Sequence, residues 1–170
     1  MRARVAAVVL AGLFLAASSL QAQEKQIKKA MGAAPASISA EATIMDGDGN
    51  VLREGTNGWT CMLSELGPMC LDAPWMNWME AYTGKTEPTF TRAGFLYMLQ
   101  GGAEGRSNTD PFATEETADN EWLPDDGPHI MIVVPDAAAL AGLPTHPDAG
   151  GPWVMYRGTA FAHIMVPIED

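Results

Sequence analysis

Two tripeptides in this chain set an imidazole and a thioether two residues apart: His129-Ile130-Met131 and His163-Ile164-Met165. In an extended strand, residues i and i+2 project to the same side about 7 Å apart. Each copy would therefore offer both groups to one neighbourhood. Imidazole with thioether suits Cu(I), which makes His129, Met131, His163 and Met165 the candidate metal ligands. Packing is the simpler use of the same residues, because methionine fills irregular cores and a buried neutral histidine needs only a carbonyl partner.

A second group comes from aromatic residues. Trp75, Met76, Met79 and Tyr82 recur at helical spacing, the pattern of a buried stripe. With Trp78 and the nearby Phe95, the residues Trp75 and Tyr82 are the candidate ligand-binding surface. An acid/base unit would be His163 beside Tyr156, oriented by Asp110 or Glu169. The chain has no Gly-x-Ser-x-Gly, no phosphate-cradling glycine loop and no His-Glu-x-x-His, so hydrolysis ranks below binding.

The first residues set the compartment. Arg2 and Arg4 precede an apolar run from Val5 to Ala17, and Ser18 to Ala22 supply small residues for cleavage. That is the plan of an export signal over residues 1–22, and the run is too short to span a membrane. A periplasmic or extracellular protein with exactly two cysteines usually pairs them. Cys61 and Cys70 are therefore expected to form a disulfide, with Gly67-Pro68 supplying the turn between them. The net charge is −11, and Arg2 and Arg4, two of the ten basic residues, lie in the leader. An acidic domain of this kind is a poor partner for nucleic acid or an anionic membrane surface.

The elements that must position these groups follow from local pattern. Residues 23–36 read as a leader or short helix, with Ile27, Ala30, Met31 and Ala34 at helical spacing. Alternation from Ser37 to Met45 predicts a strand, a turn at Asp46-Gly47-Asp48-Gly49-Asn50, and a return strand from Val51 to Glu54. The turn has the opening order of a calcium loop but lacks its glycine and its twelfth-position glutamate. Asp72 caps a helix with Pro74 in its first turn, ending at Gly84. Gly94 to Gln100 is apolar on both faces and reads as a central strand covered on both sides. Residues 101–127 form a long acidic loop, expected to be solvated and irregular.

His129 to Val134 reads as a strand and Asp136 to Gly142 as a capped helical turn. Trp153 to Arg157 and Ala160 to Val166 then read as a hairpin closed by Gly158-Thr159, the signature of a type II′ turn. That register would place Val154, Tyr156, Phe161, His163 and Met165 on one face.

The stretches Tyr97-Met98-Leu99-Gln100-Gly101-Gly102, Ser107-Asn108-Thr109-Asp110-Pro111, Gly127-Pro128-His129 and Ala162-His163-Ile164-Met165-Val166-Pro167 resemble a group of small exported bacterial proteins of unassigned function. The likeness runs from about Ala42 to Pro167. It implies export and a single domain, and carries no activity or site residue. The His-x-Met spacing is similar to that of some periplasmic Cu(I) chaperones, but their additional upstream methionine would fall on Ala141 or Ser107.

The expected fold is α+β, a single domain over residues 37–170 with a mainly antiparallel sheet and one or two short helices. The expected function is an exported, envelope-associated binding protein for an unspecified ligand or envelope component, without a transmembrane anchor after cleavage. The alternatives are a periplasmic Cu(I) protein using both His-x-Met motifs, then a small hydrolase. Intact mass of the secreted product checks the first step. It should begin at Gln23 and yield no alkylatable thiol without reductant.

Overall fold

The computed structural model describes residues 20–102, 105–123 and 127–168. Residues 1–19 of the expected leader, and Glu104, Asp125, Asp126 and Glu169 among the acidic candidates, lie outside the described residues. An eight-stranded sheet organises the chain in the order β2-β1-β3-β4-β5-β8-β10-β9. Its strands are β1 (Thr43–Met45), β2 (Val51–Arg53), β3 (Thr60–Met62), β4 (Met69–Leu71), β5 (Gly94–Met98), β8 (His129–Val133), β9 (Trp153–Met155) and β10 (His163–Pro167). Strands β6 (Arg106–Ser107) and β7 (Trp122–Leu123) pair separately. The large sheet is mostly antiparallel, with one parallel pair between β1 and β3. Among the described residues three segments are α-helical: α1 over residues 20–31, α2 (Ala36–Ser39) and α3 (Ala73–Gly84).

Helix α3 forms where local chemistry dictates. Asp72 accepts a hydrogen bond from the Trp75 amide at 3.3 Å, and Pro74 occupies the first turn. Lys85 ends the helix in the left-handed conformation (φ 52°). Trp75, Trp78 and Ala81 are buried against one sheet face. That face carries Met69 and Leu71 of β4, Leu96 and Met98 of β5, Met131 and Val133 of β8, and Met155 of β9. On the opposite face, Ala30, Ala33 and Ala34 cover Ile44, Cys61 and Cys70. Cys61 and Cys70 are cross-strand partners on β3 and β4 and form the expected disulfide.

Several expectations are corrected. Residues 37–40 do not join the first strand: Ala36–Ser39 is a helical turn, and only Thr43–Met45 is extended. Small alternating Ser and Ala residues fit either period, and Pro35 starts the turn. The following hairpin is formed by β1 and β2, and Asp46 accepts from the amides of Asp48 and Asn50 and from the Asn50 side chain. Those bonds hold the Asp46 carboxyl below the usual carboxylate range and occupy the oxygens that a calcium loop would present.

Strand β5 is central, but its outer face is covered only in part, with Tyr97 half-buried against the cluster of Ala30, Cys61 and Cys70. Gly94, Leu96 and Met98 face α3, whereas Phe95 on the other face is 40% exposed. The C-terminal hairpin does not close at Gly158-Thr159. Strands β9 and β10 pair with His163 opposite Met155 and Met165 opposite Trp153, one residue out of the expected register. Residues 156–162 form the connection, in which Tyr156 adopts φ 56° and both Tyr156 and Phe161 are buried. Burying two large aromatics outweighs the local turn signature, and the slip moves His163 and Met165 onto the face of Trp153 and Met155.

At Gly94 the first turn of α3 lies close against the sheet. A Cβ there would lie 2.5 Å from Pro74 Cβ, 2.9 Å from Asp72 Oδ1 and 3.0 Å from Val133 Cγ2. Gly94→Ala should therefore cost about 1–3 kcal/mol through overpacking, read as a lowered urea midpoint at unchanged slope.

Candidate functional site

Between α3, the inner sheet face and the segment 105–123 lies a cavity of about 360 Å³. The sheet contributes Met69, Leu96, Met98, Met131, Met155 and His163 to its wall; α3 contributes Trp75, Trp78, Met79 and Tyr82. Among the described residues Leu66 is the only other leucine of the wall, and no valine or isoleucine takes part. Five thioethers thus stand where aliphatic side chains ordinarily do. The acidic loop contributes Arg106, Ser107, Pro111, Ala113 and Trp122, and Glu65 and Tyr156 also line the cavity. The expectation of a wholly solvated loop is corrected here, since Ser107, Asn108, Pro111 and Leu123 are buried. Gly105, at φ 71°, admits the Trp122 indole, whose Nε1 would sit 2.9 Å from a Cβ at that position.

The sequence-derived candidates divide. Trp75, Trp78 and Tyr82 line the cavity, and Phe95 points away from it on the other sheet face. The two His-x-Met pairs lie on adjacent antiparallel strands, with Met165 opposite Met131 and Pro167 opposite His129. All four side chains therefore share the face beneath α3. The same register places His129 four residues from the row that holds His163, roughly 13 Å along the strands. That offset sets the two histidines well apart along the sheet. Met131 and His163 reach the cavity; His129 and Met165 do not line it.

His163 is the most constrained group in the site. Its Nδ1 donates to the Phe161 carbonyl at 2.9 Å, and the same oxygen accepts from Trp78 Nε1 at 3.3 Å. The rings of Trp75, Trp78 and Tyr156 frame the imidazole at 5.3, 5.6 and 5.4 Å, all close to edge-on. With the proton on Nδ1, Nε2 keeps its lone pair. That nitrogen is buried, has no hydrogen-bond partner and lies on the edge of the ring away from Phe161. Trp75 Nε1 is a second buried polar atom of the wall without a partner. Desolvation pushes the His163 pKa down to about 4, opposed by the Phe161 bond and assisted by electrostatic repulsion from the His129 and Arg106 side chains.

The acid/base arrangement considered from sequence takes another form. The Phe161 carbonyl occupies the Nδ1 position at which an orienting carboxylate would sit, and Asp110 accepts from the Phe112 amide. The residues that sequence reasoning missed are Met69, Met98, Met155, Arg106 and Trp122. Alternation along β4 and β5 pairs Met69 with Leu71 and Leu96 with Met98 and could have found the first two. The slipped hairpin register hid Met155.

Fold and site thus define a mixed, mostly antiparallel sheet with one helix packed over a sulfur- and indole-lined cavity. No protein-family model matches the chain, and comparison with the curated proteins and with the solved structures finds no similar protein.

The His163 environment has a pH signature. Between pH 6.5 and about 4 the unfolded chain binds the His163 proton and the folded chain does not. Stability from this group is therefore complete above pH 6.5, falls as pH drops through that window, and levels off below it, with a total change of about 3 kcal/mol. Urea unfolding at pH 7, 5.5 and 4 should show this slope, and His163→Gln should flatten it.

Proposed function

We propose that this protein is an exported, envelope-associated binding protein that holds a small ligand in the cavity between α3 and the inner face of the sheet. The observation that carries the reading is a chemical mismatch within that cavity. Its wall is rich in apolar and sulfur-bearing side chains, with Glu65 and Arg106 among them, and it includes His163 and Trp75, whose Nε2 and Nε1 are buried without a hydrogen-bond partner. Buried polar atoms left unpaired cost about 1–3 kcal/mol each, and a ligand that satisfies them recovers that energy on binding. Concave, mainly apolar walls with a few convergent polar groups are the usual form of a small-molecule site.

Export agrees with the Cys61–Cys70 disulfide, since such bonds persist in oxidising compartments. Among the described residues no helix is long and apolar enough to cross a membrane. The net charge of −11 disfavours nucleic acid and anionic lipid as partners.

A fluorescent apolar probe titrated into the mature protein tests the cavity. Binding should be saturable at one equivalent and should quench emission from Trp75 and Trp78. Ala113→Trp fills the cavity from the loop side, where Ala113 is only half-buried. This variant should keep the fold by circular dichroism and weaken the probe at least about 10-fold, the equivalent of 1.4 kcal/mol. Unchanged probe affinity in Ala113→Trp would place the binding elsewhere and overturn the reading.

A further inference from the structure

The sheet end of the cavity collects soft donors from three strands. His163 on β10 is the direct cross-strand partner of Met155 on β9, a relation that sets Cβ atoms about 4.5–5.5 Å apart on one face. On the other side of β10, Met131 of β8 is opposite Met165, which makes it the diagonal neighbour of His163, about 7–8 Å away and within reach of a long side chain. Met131, Met155 and His163 all line the cavity. We propose that Nε2 of His163 and the thioethers of Met155 and Met131 bind a soft monovalent cation, Cu(I), at this end of the cavity. The inference rests on the reading that the cavity is the ligand site, and it names the ligand.

Three observations support it independently of the two His-x-Met repeats. The Phe161 carbonyl fixes the proton on Nδ1, which leaves Nε2 as the donor atom and turns it away from that carbonyl. This is the usual way a protein orients a ligating histidine. Nε2 is buried and unpartnered, so binding a cation replaces no existing bond. The donors are also all neutral. Among the described residues no three His, Cys, Asp or Glu side chains gather as a metal cluster. The cavity wall also carries Glu65 and Arg106, and the two thioethers and one imidazole at its sheet end are the soft, neutral donor set that suits Cu(I).

The set differs from the one drawn from sequence. His129 and Met165 drop out because the β8–β10 register carries His129 away from the row of His163 and because Met165 lies outside the cavity wall. Met155 enters from a strand that carries no His-x-Met.

The test uses the mature chain with its disulfide intact, Ag(I) as a redox-inert probe, and Cu(I) in competition with a chromogenic chelator under ascorbate. Methionine methyl groups are observed by carbon-13 NMR. The expected result is one equivalent of either ion and selective shifts of the Met131 and Met155 methyls, with Zn²⁺ producing neither. Met155→Leu and Met131→Leu preserve volume and should each weaken binding about 10-fold or more. His163→Gln should weaken it about 100-fold, the upper range for disturbing a metal site.

Apolar-probe binding and circular dichroism on the same variants separate the outcomes. Retained probe binding with no Ag(I) or Cu(I) binding overturns the metal inference and leaves the cavity reading standing. Loss of both in a folded wild-type protein overturns both. Full metal affinity in the two leucine variants, or shifts confined to other methionines, also overturns the inference.

Discussion

The Phe161 carbonyl oxygen accepts two hydrogen bonds, one from His163 Nδ1 on β10 and one from Trp78 Nε1 on α3. It thereby ties the helix to the sheet and selects the imidazole tautomer in one arrangement. Phe161 reaches this position only because the chain between β9 and β10 makes a long connection, with Tyr156 in a left-handed conformation and Phe161 turned inward. Phe161 then packs edge-on against Trp78, Tyr82 and Phe112. Aromatic pairs of this kind add about 0.5–1.5 kcal/mol each beyond simple burial. The unusual connection is consequently stabilised by the core it completes.

Methionine suits the resulting space for a physical reason. A flat helix face carrying two indoles leaves irregular gaps over a pleated sheet, and an unbranched side chain with three rotatable bonds fills such gaps better than valine or isoleucine. The same substitution pattern leaves polarizable sulfur on the wall. Structural and ligand-directed uses of these residues are thus compatible within one cavity.

Where the determinants are local, the sequence is a good guide. Asp72 and Pro74 set the start of α3 because a cap and a first-turn proline act within a few residues, and the helix ends at Gly84 although the left-handed turn that stops it is taken by Lys85. The cysteine pair follows from compartment and number. The C-terminal hairpin fails as a reading because Gly158-Thr159 carries a strong short-range signal while the burial of Tyr156 and Phe161 is a long-range one, and a slip of one residue reverses every face. Residues 37–40 fail because serine and alanine support a strand or a turn of helix nearly equally. Most of the cavity was invisible for a related reason: β4, β5, β8, β9, α3 and the loop each supply one or a few side chains, and no periodicity links Met69 to Met155.

The loop wall is secured at one residue, buried Asn108. Its amide donates to the Glu121 carbonyl at 2.7 Å, its carbonyl accepts from the Tyr156 amide at 2.8 Å, and its Nδ2 bonds Glu121 Oε2 and the Thr145 carbonyl at 2.7 and 2.8 Å. Each such bond alone contributes about 0.5–1.5 kcal/mol and would open and close rapidly. Gathered on one residue through both its backbone and its side chain, they join the loop to the segments of Thr145 and Tyr156 at once, so displacing the loop wall means breaking all four together.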